Sequence, residues 1–214
     1  TCNSRPNFTR KRSDLHESQL NFKLLTPLGI TKVPTLVELS ERLKFTVPDS
    51  SNQLVDQDWS NTVLLHPKSN GSGVEYPMEN YAALSEHLVE RGYKVYFTGT
   101  EKEGAGFRSQ IPVHPNILDA TGKWDLGTFI QIISKAKALV ACSTGPYHIA
   151  GLCGIKAIGL FAQRKPIHPG RWLALGSQSK ALVSEGNCEN CNSGLQCNCI
   201  ETISYQNIID ALEK

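Results

Sequence analysis

The chain has 214 residues with 40% apolar side chains, enough to bury a substantial core and to hold one domain plus part of another. A formal net charge of +2, without clustered basic and aromatic residues, argues against nucleic acid as a partner. No stretch approaches the roughly 18 apolar residues of a membrane helix, and the first residues lack a secretory segment, so a cytoplasmic protein is expected.

The chain opens on Thr1 rather than Met, and Thr1–Asn7 resembles neither a start site nor a strand, which reads as a fragment of something longer. Arg5, Arg10, Lys11 and Arg12 bunch here, either as a solvated linker or as a patch for an anionic acceptor or lipid headgroup. Residues 13–28 begin at a Ser13-Asp14 cap, carry apolar residues at Leu15, Leu20, Leu24 and Leu25, and stop at Pro27 and Gly29. That pattern predicts a helix. A shorter helix fits Pro34–Leu43, and the polar stretch Val47–Trp59 reads as a linker.

From Thr62 strands and helices alternate. Strands are expected at Thr62–His66, Lys94–Thr98, Asn116–Asp119, Ala138–Cys142, Ala157–Phe161 and Lys180–Val183. Helices are expected at Met78–Arg91, Lys102–Gln110, Leu126–Lys135, Gly145–Cys153 and Ser204–Leu212. Short apolar strands separated by helices of about ten residues predict an α/β fold, a Rossmann-like doubly wound parallel sheet. Ligands of such sheets bind outside the carboxyl ends of the strands, where His66, Thr98 and Cys142 lead into loops.

The most informative of these strand ends is Ser143-Thr144-Gly145-Pro146-Tyr147-His148-Ile149-Ala150, directly after the run Ala138–Ala141. A glycine lets a phosphate approach the backbone, proline suits the first helical turn, and the helix N-terminus favours an anion. A well-capped core helix is the alternative. His148 can reach a phosphate from this first turn or be a satisfied core histidine.

Three other loops share the rim. His66-Pro67-Lys68-Ser69-Asn70-Gly71-Ser72-Gly73 can bend into a nest of N–H groups with Lys68 as a point charge, or be an ordinary flexible connection. In Gly99-Thr100-Glu101-Lys102-Glu103 a carboxylate can accept from ribose hydroxyls, or simply favour a helix N-terminus. The segment Gln163-Arg164-Lys165-Pro166-Ile167-His168-Pro169-Gly170-Arg171 can hold cations against a diphosphate, or be a surface loop.

Near the end, Cys188-x-x-Cys191-x5-Cys197-x-Cys199 places four of seven cysteines on a turn-rich segment containing Asn190, Asn192, Ser193 and Gly194. Four thiolates so spaced suit a structural zinc. Free thiols and disulfides are the alternatives, the latter disfavoured in a reducing cytoplasm.

Together these pieces resemble glycosyltransferase family 9, which contains the bacterial lipopolysaccharide heptosyltransferases. The likeness runs from about residue 60 to 176 through Val63-Leu64-Leu65-His66-Pro67, Tyr76-Pro77, Val95–Gly99 with Glu103, Leu118–Gly122, Gly159-Leu160-Phe161 and, as its specific element, Thr144-Gly145-Pro146-x-His148-x-Ala150. His16 with Leu20, Leu24, Leu25 and Gly29 resembles the helix that ends that family's first domain.

The resemblance implies a GT-B architecture of two Rossmann-like domains. Residues 1–55 would then be the helical tail of an N-terminal acceptor domain plus linker, and residues 56–214 the nucleotide-sugar donor domain with its cysteine-rich segment 188–199. It implies that Ser143, Thr144, Gly145 and His148 meet the donor diphosphate and that Glu103 holds the ribose. It implies inverting transfer without a catalytic metal, from a donor such as ADP-heptose, to a glycolipid or oligosaccharide of the lipopolysaccharide core or cell envelope. The acceptor would be met at the cytoplasmic face of the inner membrane. The family's proposed base, an Asp early in the first domain, would lie upstream of Thr1.

Two positions depart from the family pattern. Ser143 replaces its Asp, and Val74 its Lys, with Tyr76 standing for its Trp. Lys68 or Arg164 would then have to supply the missing charge, with Ser69 a further expected donor contact. A nucleotide-sugar-binding module without transfer activity is one competing expectation, and an unrelated small protein organised by a metal is another.

Overall fold

The structure, a computed structural model, describes residues 7–10, 13–49, 56–186, 188–193, 195 and 197–214. Arg5, Lys11, Arg12, most of the opening segment, part of the expected linker and Gly194 lie outside the described residues. Six strands form one sheet: β1 (Thr62–His66), β2 (Lys94–Phe97), β3 (Ile117–Asp119), β4 (Ala138–Cys142), β5 (Lys156–Phe161) and β6 (Ser179–Val183). Their order is β3-β2-β1-β4-β5-β6, and every neighbouring pair is parallel. All six expected strands are present, with ends moved by a residue. Leu64 lies opposite Tyr96 on one side and Leu139 on the other.

Because successive side chains of a strand point to opposite faces, the apolar runs supply two cores at once. On one face Val63, Leu65, Val95, Phe97, Val140 and Leu160 pack with Tyr81, Leu84 and Leu88 of α3 (Met78–Glu90) and Ile208, Ile209 and Leu212 of α9 (Tyr205–Glu213). On the other, Leu64, Leu139, Ala141 and Phe161 pack with Ile132 and Ile133 of α5 (Leu126–Lys135) and with Tyr147 and Ala150 of α6 (Gly145–Leu152).

Four expectations need correction. The first helix starts later than Ser13-Asp14, as α1 (Glu17–Lys23), and its cap is His16. The His16 Nε2–H donates to the Leu173 carbonyl at 2.8 Å, which leaves Nδ1 free to accept from the Ser18 N–H. Burial lowers the His16 pKa and keeps this neutral tautomer available. With Leu20 fully buried and Glu17 paired to Arg171 at 2.7 Å, α1 is fastened to the sheet-bearing unit.

The helix expected over 102–110 is shorter, as α4 (Glu101–Ala105) followed by a 3-10 turn at Arg108–Gln110. Gly104 and Gly106 give it little propensity. The proline-rich loop after β5 contains α7 (Pro169–Trp172), and the cysteine segment contains α8 (Glu189–Ser193). The second expected helix is α2 (Leu36–Arg42), capped by Thr35 and Glu38.

Candidate functional site

The strand order reverses between β1 and β4, so the loops leaving their carboxyl ends diverge and open a crevice. A cavity of about 400 Å³ fills it.

One end of the cavity is the N-terminus of α6. Thr144 occupies the cap position without making a side-chain cap, and its Oγ1 is buried with no hydrogen-bond partner. A Cβ added to Gly145 would meet nothing within 4 Å. Thr144, Gly145 and Pro146 all line the cavity, so the start of α6 borders it, and the N–H groups and positive dipole end of a helix favour an anion there.

The second wall is the loop after β1. Lys68 Nζ donates to Glu75 Oε2 at 2.8 Å, and the Ser69 N–H donates to Glu75 Oε1 at 2.9 Å. The expected phosphate nest thus already holds an anion, the carboxylate of Glu75. Burial pushes the Glu75 carboxyl up, but Lys68 and Ser69 outweigh it and hold the pKa below its ordinary value. Ser72 Oγ donates to the Ser143 carbonyl at 2.8 Å and ties this loop to the end of β4.

The third wall runs from Thr98 to Glu103. Glu103 Oε2 accepts from the Thr100 N–H at 2.7 Å and from the Thr100 hydroxyl at 2.8 Å, closing the capping box of α4. Only Oε2 is used in this box. Gly99 has φ +156°, and a Cβ there would sit 3.2 Å from that same oxygen, so a side chain would strain the backbone and press on the carboxylate.

His66 stands at the switch point. The Thr98 hydroxyl donates to the Leu65 carbonyl at 3.1 Å, so its contact with His66 Nδ1 at 3.0 Å requires the ring to donate there. Nε2 is left as the ring's acceptor. Burial lowers the His66 pKa to about 4, only partly offset by the Glu103 carboxylate, and the ring stays neutral.

The remaining wall is apolar, made by Ala120, Trp124, Leu126 and Phe129. Phe129 stacks near His66 with centroids 6.2 Å apart, and Trp124 lies 6.0 Å from Phe129. Donors at one end and aromatic rings at the other suit a ligand with a planar apolar part and an anionic part.

Of the residues expected at the site, Thr144, Gly145, Lys68, Ser69 and Glu103 line this cavity. Ser143 is buried beside it and contributes its carbonyl to Ser72. His148 is not in the lining: its ring lies 6.3 Å from Trp172, and burial and the nearby His16 lower its pKa. Arg164 does not line it either; it borders a second cavity with Gly73, Val74, Glu75 and Cys197. His66, expected at the rim as the end of β1, lines the cavity, whereas Trp124 and Phe129 were not expected. The signal for His66 was its place at the end of β1; nothing in the sequence marked the two rings.

A doubly wound parallel sheet with a cavity at its switch point defines a Rossmann-like domain of the kind found in GT-B glycosyltransferases. The chain belongs to glycosyltransferase family 9 (heptosyltransferase), whose sequence pattern matches residues 13–199. It is 28% identical to lipooligosaccharide heptosyltransferase 2 of Haemophilus influenzae over 101 residues, 45% of this chain and 29% of that protein.

Three solved structures share the fold. The family 9 glycosyl transferase of Veillonella parvula has a TM-score of 0.70 at 18% identity, over 98% of this chain and 61% of its own. The ADP-heptose heptosyltransferase II of E. coli has 0.59 at 18%, over 73% and 46%. The E. coli heptosyltransferase WaaC, solved with ADP, has 0.62 at 14%, over 86% and 57%. The chain therefore spans less than two thirds of the length of each of these relatives. Among the described residues no helix is long and apolar enough to cross a membrane.

Proposed function

We propose that this chain is the donor-binding half of a glycosyltransferase that moves a sugar, heptose or a close relative, from a nucleoside diphosphate to a lipopolysaccharide-core or other cell-envelope glycan. The observation that carries this reading is the open N-terminus of α6, whose first residues Thr144, Gly145 and Pro146 line the cavity. The diphosphate would lie on that terminus, the base along Trp124 and Phe129, and the ribose hydroxyls on Glu103. WaaC, which shares the fold, binds ADP.

In the proposed inverting step the acceptor oxygen bonds to the anomeric carbon as the bond from that carbon to the phosphate oxygen breaks. The helix dipole and cations stabilise the charge arriving on the departing nucleoside diphosphate. The step needs no metal. The acceptor hydroxyl loses its proton to a base outside residues 1–214, and the reaction takes place at the cytoplasmic face of the inner membrane.

Calorimetry with ADP-, GDP- and UDP-sugars tests the donor reading. We expect residues 1–214 to bind one of the three weakly and to transfer nothing, because acceptor and base must be held within about 3–3.5 Å of the reacting atoms. A chain extended to the length of its relatives should turn over. Absence of binding to all three sinks the donor reading, and steady turnover by residues 1–214 sinks the division of labour.

A non-catalytic nucleotide-sugar module is favoured by one observation: the Lys68 charge is already neutralised by Glu75. Glu75→Gln should free that charge and strengthen nucleoside diphosphate binding by about three- to tenfold, the range of a partly exposed charge-assisted contact. Unchanged or weaker binding would make Glu75 a fixed part of the loop and remove Lys68 from the site.

A further inference from the structure

The four cysteines of the closing segment come together far along the chain from the donor cavity. Their sulfur atoms all lie within 4.8 Å of one another. Cys191 Sγ is 3.1 Å from Cys197 Sγ and 3.3 Å from Cys199 Sγ, and the last two are 3.5 Å apart. A tetrahedron with metal–sulfur bonds of about 2.3 Å has edges of about 3.8 Å. The three Cys191, Cys197 and Cys199 separations are somewhat shorter than that edge, a contraction that small side-chain rotations would relieve, and far longer than a disulfide bond of about 2.05 Å; the cysteines are free.

Local structure explains the convergence. Cys188 leads into α8, which carries the buried Cys191, and the Leu195 N–H returns to the Asn190 carbonyl at 2.8 Å. That turn brings Cys197 and Cys199 back at the start of a 3-10 turn, Cys199–Thr202. Cys199 has a further donor outside the cluster: the Ser184 hydroxyl donates to its Sγ at 3.3 Å. Such outer contacts orient and tune metal-bound thiolates.

We propose that Cys188, Cys191, Cys197 and Cys199 hold one structural zinc ion that fastens the end of the sheet to the loop forming the second wall of the cavity. Four thiolates fill the tetrahedron and leave no open position for substrate. Borderline-soft zinc is the divalent ion such a set selects. The site reaches the cavity wall by two routes: Cys197 borders the second cavity with Arg164 and Glu75, and Tyr76 Oη donates to the Ile203 carbonyl at 2.6 Å. Arg164, expected at a diphosphate, instead lies where it can offset the charge of a tetrathiolate site.

The test is metal content and coordination of the chain purified under reducing conditions without chelator. About one zinc per chain is expected, released in step with the titration of four thiols by a mercurial. Replacement by cobalt should give the intense visible bands of a tetrahedral thiolate complex. Stripping the metal from the wild-type chain should lower the melting temperature by at least about 10 °C, as binding to a site absent from the unfolded chain is folding free energy. Cys188→Ser, at the more accessible end, should reduce zinc affinity and change the cobalt spectrum even if Cys191→Ser fails to fold. Four freely titrating thiols with no metal, a disulfide within the set, or iron in place of zinc would each overturn the proposal. None of these results depends on the donor reading.

Discussion

Gly145→Val is expected to weaken nucleoside diphosphate binding by at least about 30-fold, the loss of roughly 2 kcal/mol of charge-assisted contacts at the α6 terminus. The fold should hardly register the change. A Cβ at Gly145 meets open space, and valine is a better helix former than glycine, so the melting temperature should stay within about 2 °C. The added side chain leaves the backbone into open space, where a ligand pressed against that backbone would meet it. Thr144→Val makes the complementary case: it removes a buried hydroxyl that has no partner, so the unliganded chain should become slightly more stable while the ligand binds more weakly. Calorimetric titration and thermal melts of both variants check this. Equal affinity in wild type and Gly145→Val would mean that α6 is a core helix and nothing more.

The sheet was legible because its central strands are buried on both faces. Val63-Leu64-Leu65 and Ala138–Ala141 read as unbroken apolar runs, and the helices between them are long enough to show a period. Elements of four or five residues, such as α7 and α8, have no period to read. The cap of α1 escaped because histidine serves only when its other nitrogen is fixed by a partner, and that partner, the Leu173 carbonyl, lies 157 residues away.

The same limit governs the site. Strand ends and the helix terminus follow from local sequence, so Thr144, Gly145, Lys68, Ser69 and Glu103 could be brought to one cavity in advance. What a charge already touches does not follow. Lys68 and Arg164 read alike as cations on rim loops, yet one is paired to Glu75 in the cavity wall and the other borders the cysteine segment. Trp124 and Phe129 flank the start of α5 and looked like any helix's apolar residues, since an aromatic wall exists only once β1 and β3 are neighbours of β2.

Conformational stability is expected to fall by about 3 kcal/mol between pH 8 and pH 4 through His66 alone, given its pKa of about 4 against an ordinary 6.5. The unfolded chain takes up the proton near pH 6.5 while the folded chain refuses it until about pH 4, so the unfolded state binds more protons throughout that interval and stability drops as pH falls. His16, His148 and His168, lowered chiefly by burial, act in the same sense. The carboxylates with lowered pKa lose their contribution mainly below their ordinary values of 3.8 and 4.5, and Cys199, lowered to about 7, acts only near the upper end, so the histidines dominate the middle of the interval. His66→Asn keeps a donor for Thr98 but cannot titrate, and urea unfolding from pH 4.5 to 7.5 should show a clearly shallower slope. A His66 ring that titrates near pH 6.5 by NMR would refute this. The same linkage reaches function: a diphosphate on the α6 terminus would favour the imidazolium, so nucleoside diphosphate affinity should rise as pH falls from 6.5 to 5 even as the unliganded fold weakens, and binding should draw a proton from the buffer.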